Sequence, residues 1–133
     1  MTINKIIYCF WTGDDSMSDN RKCALDSMYG NAGNCKVELI TTKNISDYIL
    51  SGDPLHEAYE YLSFTHRADY LRAYIMNFYG GGYSDIKWCR VSWEPYFDML
   101  SSRTDKFCIG YEEDGPWKVD HPNLREGDGW SGI

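Results

Sequence analysis

The chemistry available to this chain concentrates in Asp69, Arg72, Asp85 and Lys87, all within one run from Phe64 to Arg90, F-T-H-R-A-D-Y-L-R-A-Y-I-M-N-F-Y-G-G-G-Y-S-D-I-K-W-C-R. On a helix, the spacing of Asp69 and Arg72 sets a carboxylate beside a guanidinium. Such a pair either hydrogen-bonds a polar ligand or is an ordinary surface ion pair worth about 0.2–0.5 kcal/mol. In a strand, the period of two turns Tyr83, Asp85 and Lys87 to one side and Ser84, Ile86 and Trp88 to the other. An acid and a base therefore share a face directly after Gly80, Gly81 and Gly82. Those glycines allow positive φ at a helix end and close approach of backbone to a ligand.

These residues need a helix, a glycine turn and a strand to hold them. Phe64, Ala68, Leu71, Ile75 and Phe78 fall on one face at helical period, predicted to pack on a sheet, with Asp69, Arg72 and Met76 on its flank. Residues 5–11 are β-branched and aromatic and end at Thr12-Gly13, which reads as a buried first strand. Loops at strand C-terminal ends form the ligand crevice of nucleotide-binding α/β domains. Ser18 is a candidate N-cap for a helix over residues 19–29, with Cys23, Ala24, Ser27 and Met28 facing the sheet. A second strand over residues 37–41, a short helix starting at Asn44 and a helix over residues 55–62 follow. Past the central unit, Ser92 caps a short helix carrying Trp93, Pro95, Phe97 and Leu100. Residues 106–111 read as a strand, and from Glu112 the chain is loop-like.

The run A-D-Y-L-R, the apolar helix after it and Y-G-G-G-Y-S-D-I-K resemble the nucleotide-sugar-binding core of GT-A glycosyltransferases with a D-x-D motif. Relatives of that kind include capsular polysaccharide and yeast mannosyl transferases and the glucosylating domain of large clostridial toxins. Their usual pattern is S-D-x-x-R followed by Y-G-G-x-Y-x-D-x-D, with 13 residues from the arginine to the first motif aspartate, the spacing kept here from Arg72 to Asp85. The opening I-I-Y-C-F-W-T-G is similar to the family's first strand. One position departs: the second motif aspartate is Lys87.

The resemblance implies an α/β, Rossmann-like GT-A domain with a mixed sheet flanked by helices. It spans residues 1–133 as a single domain that lacks part of the C-terminal acceptor side. It further implies a glycosyltransferase that moves a sugar from a UDP-sugar, with UDP-glucose favoured, to a glycan or other acceptor with retention. A GDP-mannose enzyme and a non-catalytic nucleotide-sugar-binding module are the alternatives. Asp85, Arg72 and Asp69 take the catalytic positions. Donor binding falls to Phe10, Trp11, Thr12, Asn44, Gly81, Gly82, Tyr83, Ser84 and Lys87 together with those three. In the resemblance Trp11 packs on the donor's base and Asp85 holds Mn2+ or Mg2+, while the Lys87 ammonium can meet the diphosphate as a point charge. Local readings stand beside these: Trp11 as a core residue, Asn44 as a helix cap and Asp85 as a turn residue.

Length and composition set the remaining bounds. A chain of 133 residues holds one compact domain, and its net charge of -7 argues against a nucleic-acid partner. The 5 cysteines are odd in number and contain no C-x-x-C pair, which points to a reducing, cytoplasmic setting rather than a disulfide framework. No apolar run is long enough for a membrane span. His56-Glu57 is not a metalloprotease motif, because H-E-x-x-H needs a histidine where Glu60 stands. The nucleophile elbow, G-x-G-x-x-G and P-loop patterns are likewise incomplete. His56, His66 and His121 have no partners that mark them as bases.

Overall fold

The computed structural model describes residues 3–110. Strand β1 (Ile6–Trp11) is central, and its period of two feeds two apolar clusters. Ile7, Cys9 and Trp11 join a cluster on one face of the sheet, and Ile6, Tyr8 and Phe10 join another on the opposite face. Burial on both faces explains why the run is apolar without alternation.

Helix α1 (Asp19–Gly30) starts at Ser18, whose hydroxyl accepts from the Arg21 amide at 3.3 Å. It buries Ala24, Leu25 and Met28 against the Ile7–Cys9 face. The chain returns as β2 (Lys36–Thr41), parallel to β1 in a register running from Ile6 opposite Lys36 to Trp11 opposite Thr41. Parallel neighbours require such a crossover, and α1 supplies it. Two short 3-10 turns, Ile45–Tyr48 and Glu57–Tyr61, lead to helix α2 (Phe64–Phe78), capped by Ser63. Leu71, Tyr74 and Ile75 bury its inner stripe, and Tyr74 and Ile75 join the Tyr8 and Ile40 face. Strand β3 (Gly82–Tyr83) pairs parallel with β1, and helix α3 (Glu94–Ser101) places Phe97 in the α1-side cluster. The sheet order is β2-β1-β3, with α1 and α2 on opposite faces.

Several expectations are corrected. The sheet is parallel throughout among the described residues, where a mixed sheet was expected. Within residues 55–62, where an α-helix was expected, only Glu57–Tyr61 is helical, as a 3-10 turn. The Tyr59 amide bonds the His56 carbonyl at 2.9 Å and the Leu62 amide the Tyr59 carbonyl at 3.1 Å, the three-residue spacing of the tighter turn. The strand after the glycines stops at Tyr83, and residues 106–110 form no strand, Phe107 being 92 % exposed. Leu25, not Cys23, turns inward on α1. On α2, Tyr74 takes the place expected of Phe64 and Phe78: its hydroxyl accepts from Leu50 N at 2.9 Å and donates to Asp53 O at 2.7 Å. Phe64 packs instead over Gly13, where a Cβ would stand 3.8 Å from the ring. Tyr111 and the segment from Glu112 lie outside the described residues.

Candidate functional site

Because the three strands are parallel, their C-terminal ends open on one edge of the sheet, the place where open α/β sheets bind ligands. Trp11 and Thr12 lie there from β1, Asn44 from the turn after β2, and Tyr83, Ser84 and Asp85 from β3. The glycine turn sets the third of these. Gly80 ends α2 with φ +66°, its amide reaching the Ile75 and Met76 carbonyls at 3.2 Å each. Gly81 has φ +84°, and a Cβ on it would stand 2.6 Å from the Ile6 carbonyl oxygen. The close approach that the glycines permit at Gly81 is thus to the backbone of β1, not to a ligand. Positive φ is confined to Gly80 and Gly81 within the triplet; Gly82 lies in the strand, where a Cβ would come 3.1 Å from the Phe97 ring. Ser84 N then donates to Tyr8 O at 3.0 Å, and buried Ile86 anchors the segment in the α1-side cluster.

On the α2 side of that edge, six of the expected residues form one connected cluster. Arg72 Nη2 donates to Asp69 Oδ1 at 2.9 Å, and the guanidinium lies 5.3 Å from the centre of the Tyr83 ring. Phe10 stacks on Tyr83, with centroids 5.2 Å apart and 26° between planes. The Tyr83 hydroxyl donates to Asp85 Oδ1 at 2.7 Å, and Lys87 Nζ stands 2.9 Å from Asp85 Oδ2. The Tyr83 bond first, and then Lys87, hold the Asp85 carboxyl below its ordinary value. Burial and the Asp85 carboxylate push the Tyr83 phenol up, so at neutral pH it is a fixed donor to an ionised acceptor. Asp69, Arg72, Asp85 and Lys87 all remain about half exposed or more, open to a ligand.

The other expected residues share the edge but not the cluster. Trp11 faces the α1 side of the sheet, partly buried, and its indole N–H donates to Asp15 O at 2.9 Å. Thr12 is buried. Asn44 closes the turn after β2, its side chain accepting from Thr41 N at 2.7 Å and donating to Leu39 O at 3.0 Å, and makes no side-chain cap on the following 3-10 turn. Ser84 Oγ donates to Asp85 O at 2.8 Å.

Among the described residues no three His, Cys, Asp or Glu side chains gather as metal ligands. His56 Nδ1 accepts from Ala58 N and the His66 ring meets Ser63 Oγ, while His121 lies outside the described residues. Both Asp85 oxygens already have partners, and a lysine stands where a second oxygen ligand would be. The described side chains do not fit a divalent cation held by the protein alone.

A part of this region had no sequence signature. Arg21, in the first turn of α1, donates to the carbonyl of Ile86, 65 residues away. An open cavity of about 340 Å³ lies there, lined by Asn20, Arg21, Ala24, Ile86, Lys87 and Trp88. Trp88 lies 62 % exposed beside the charged groups of Arg21 and Lys87.

No curated protein and no solved structure matches the chain. The family model described as capsular polysaccharide synthesis protein matches residues 1–88, which run from β1 through α2 and the glycine turn to Trp88. That match covers about two-thirds of the 133 residues and every candidate site residue. No helix among the described residues is long and apolar enough to cross a membrane. The chain belongs to the capsular polysaccharide synthesis protein family, which ties it to polysaccharide biosynthesis.

Proposed function

We propose that this chain is a GT-A-type glycosyltransferase that binds a UDP-sugar, UDP-glucose above others, and passes the sugar to a glycan with retention. The observation that carries the reading is the connected chain Asp69–Arg72–Tyr83–Asp85–Lys87 at the C-terminal edge of a parallel sheet. Glycosyl transfer leaves a diphosphate whose charge must be met while the anomeric carbon becomes positive, and fixed charges in place before reaction lower that barrier most. Arg72 and Lys87 supply cations for the phosphates. Asp69 and Asp85 accept from sugar or ribose hydroxyls, and Tyr83 holds Asp85 ionised and oriented. Trp11, Thr12 and Asn44 would receive the nucleoside at the ends of β1 and β2. No step is assigned to a metal; Mn2+ or Mg2+ binding is proposed only for the donor-bound state, where phosphate oxygens add to Asp85.

Lys87 in place of an acid favours one other reading, a module that binds nucleotide sugars without turnover. Release of UDP from UDP-glucose in the absence of acceptor separates the two, with GDP-mannose run in parallel. Slow UDP release, absent in Arg72→Ala and Asp69→Ala, is the expected result. Tight binding with no release assigns the chain to the module.

A further inference from the structure

We propose that the cavity between the first turn of α1 and residues 86–88 is a subsite for a saccharide bearing an oxyanion, and that it holds the acceptor next to the donor. Its role as an acceptor subsite rests on the transferase reading above. The cavity, at about 340 Å³, lies within the range of roughly 300–1,000 Å³ typical of small-molecule sites.

Its lining has the two parts that a charged sugar needs. The Trp88 indole offers a broad apolar face in solvent, suited to the C–H face of a pyranose ring. Arg21 offers a guanidinium already fixed in place, because Nη1 donates to the Ile86 carbonyl. Among the described residues Nη2 and Nε make no hydrogen bond, and together they form the paired donors that fit a carboxylate or phosphate. Among the described residues no carboxylate lies within salt-bridge distance of Arg21. Among the described residues the lining holds Arg21 and Lys87 and no acidic side chain, on a chain whose net charge is -7. Lys87 is already paired with Asp85, so Arg21 carries the charge that the cavity offers, and such a cation on an acidic protein attracts anions that the rest of the surface repels.

Lys87 connects this cavity to the donor cluster, since its side chain lines the cavity while Nζ reaches Asp85. A saccharide in the cavity therefore lies alongside Asp85 without competing for Asp69 or Arg72.

The test titrates the full chain, by tryptophan fluorescence and saturation-transfer NMR, with three oligosaccharides of equal length. One alternates hexose and hexuronic acid, the second is its carboxyl-reduced form, and the third is neutral apart from one phosphomonoester. Both anionic forms should bind about tenfold or more tighter than the reduced one, the scale of a charge-assisted bidentate contact, and the tighter of the two identifies the oxyanion. Arg21→Gln should abolish that preference, and Trp88→Ala should weaken all three. Equal affinity for the carboxylated and reduced forms overturns the subsite, as does a preference that survives in folded Arg21→Gln. Trp88→Ala alters a solvent-exposed side chain, so unchanged saccharide affinity in that variant overturns the subsite even if Arg21→Gln does not fold. UDP release from UDP-glucose is the separate readout. Its absence with saccharide binding intact counts against the transferase reading and not against the subsite.

Discussion

Asp85 is the residue on which the local electrostatics converge, with a phenol on one oxygen and an ammonium on the other. Its lowered pKa means that its contribution to stability is present above the unfolded-state value and is lost as pH falls through the lower folded-state value. An NMR titration of the Asp85 carboxyl should give a midpoint below the ordinary aspartate value, and Tyr83→Phe should raise it while keeping the stack on Phe10. A midpoint that does not move in Tyr83→Phe would transfer the effect to Lys87 alone. Lys87→Asp tests the same site from the other side. It removes the ammonium and restores a second oxygen, so Mn2+ affinity of the donor-free protein should rise from weak, on the order of millimolar or less tight, by about tenfold or more. No gain on isothermal titration would show that Lys87 is not what keeps the cation out. Arg72→Ala should cost about 1 kcal/mol or less in urea denaturation, since it loses one exposed ion pair and one exposed ring contact. It should nevertheless abolish UDP release. Large destabilisation with normal turnover per folded molecule would make the pair structural.

The glycine turn is the element that delivers β3 and Asp85 to the edge. Gly80 and Gly81 both have positive φ, yet their surroundings differ: among the described residues nothing lies within 4 Å of a Cβ on Gly80, whereas one on Gly81 would collide with the β1 backbone. Gly80→Ala should therefore cost roughly 1 kcal/mol for the dihedral alone. Gly81→Ala should cost clearly more, because the Ile6 carbonyl cannot move without parting β1 from β3. Equal losses in thermal or denaturant unfolding would refute that contrast. Helices α1 and α2 and the first two strands were legible in the sequence, because β1 is a short apolar run, Val37, Leu39 and Ile40 mark β2, Ser18 is a strong cap and residues 64–78 keep a helical period. The spacing from Arg72 to Asp85 was legible too. Leu71 and Ile75 are buried on α2 as their period predicts, but pattern alone did not reveal that Tyr74 joins them while Phe64 and Phe78, at the helix ends, stay exposed. Tyr74 wins because its hydroxyl finds Leu50 and Asp53. Period two likewise separates Phe10 from Trp11, but it does not say which of them meets α2. Arg21 at the Ile86 carbonyl was out of reach, because no local rule links residues that far apart.

At the scale of the whole molecule, the site sits where two apolar clusters meet across one sheet, and β1 contributes to both. Cys9 and Ile7 pack under α1, while Tyr8 packs under α2, so loosening either face disturbs the strand that carries the other. Met28 is buried on the first face and Ile75 on the second. Met28→Ala and Ile75→Ala should each cost about 2–5 kcal/mol, the usual range for a large aliphatic side chain truncated in a core. Coupling through β1 makes a stronger demand than the magnitudes. Trp11 and Trp93 pack on the α1 side, so with Trp88, Trp117 and Trp130 replaced by Phe tryptophan fluorescence reports that face, whereas far-ultraviolet circular dichroism reports the helices on both. The two signals should follow one unfolding transition in the unsubstituted chain and in each variant, as a cooperative domain requires. If Ile75→Ala shifted the dichroism transition and left the tryptophan transition in place, the two faces would be separate folding units. The donor cluster would then rest on the α2 face without support from the face that carries Arg21 and the cavity beside it.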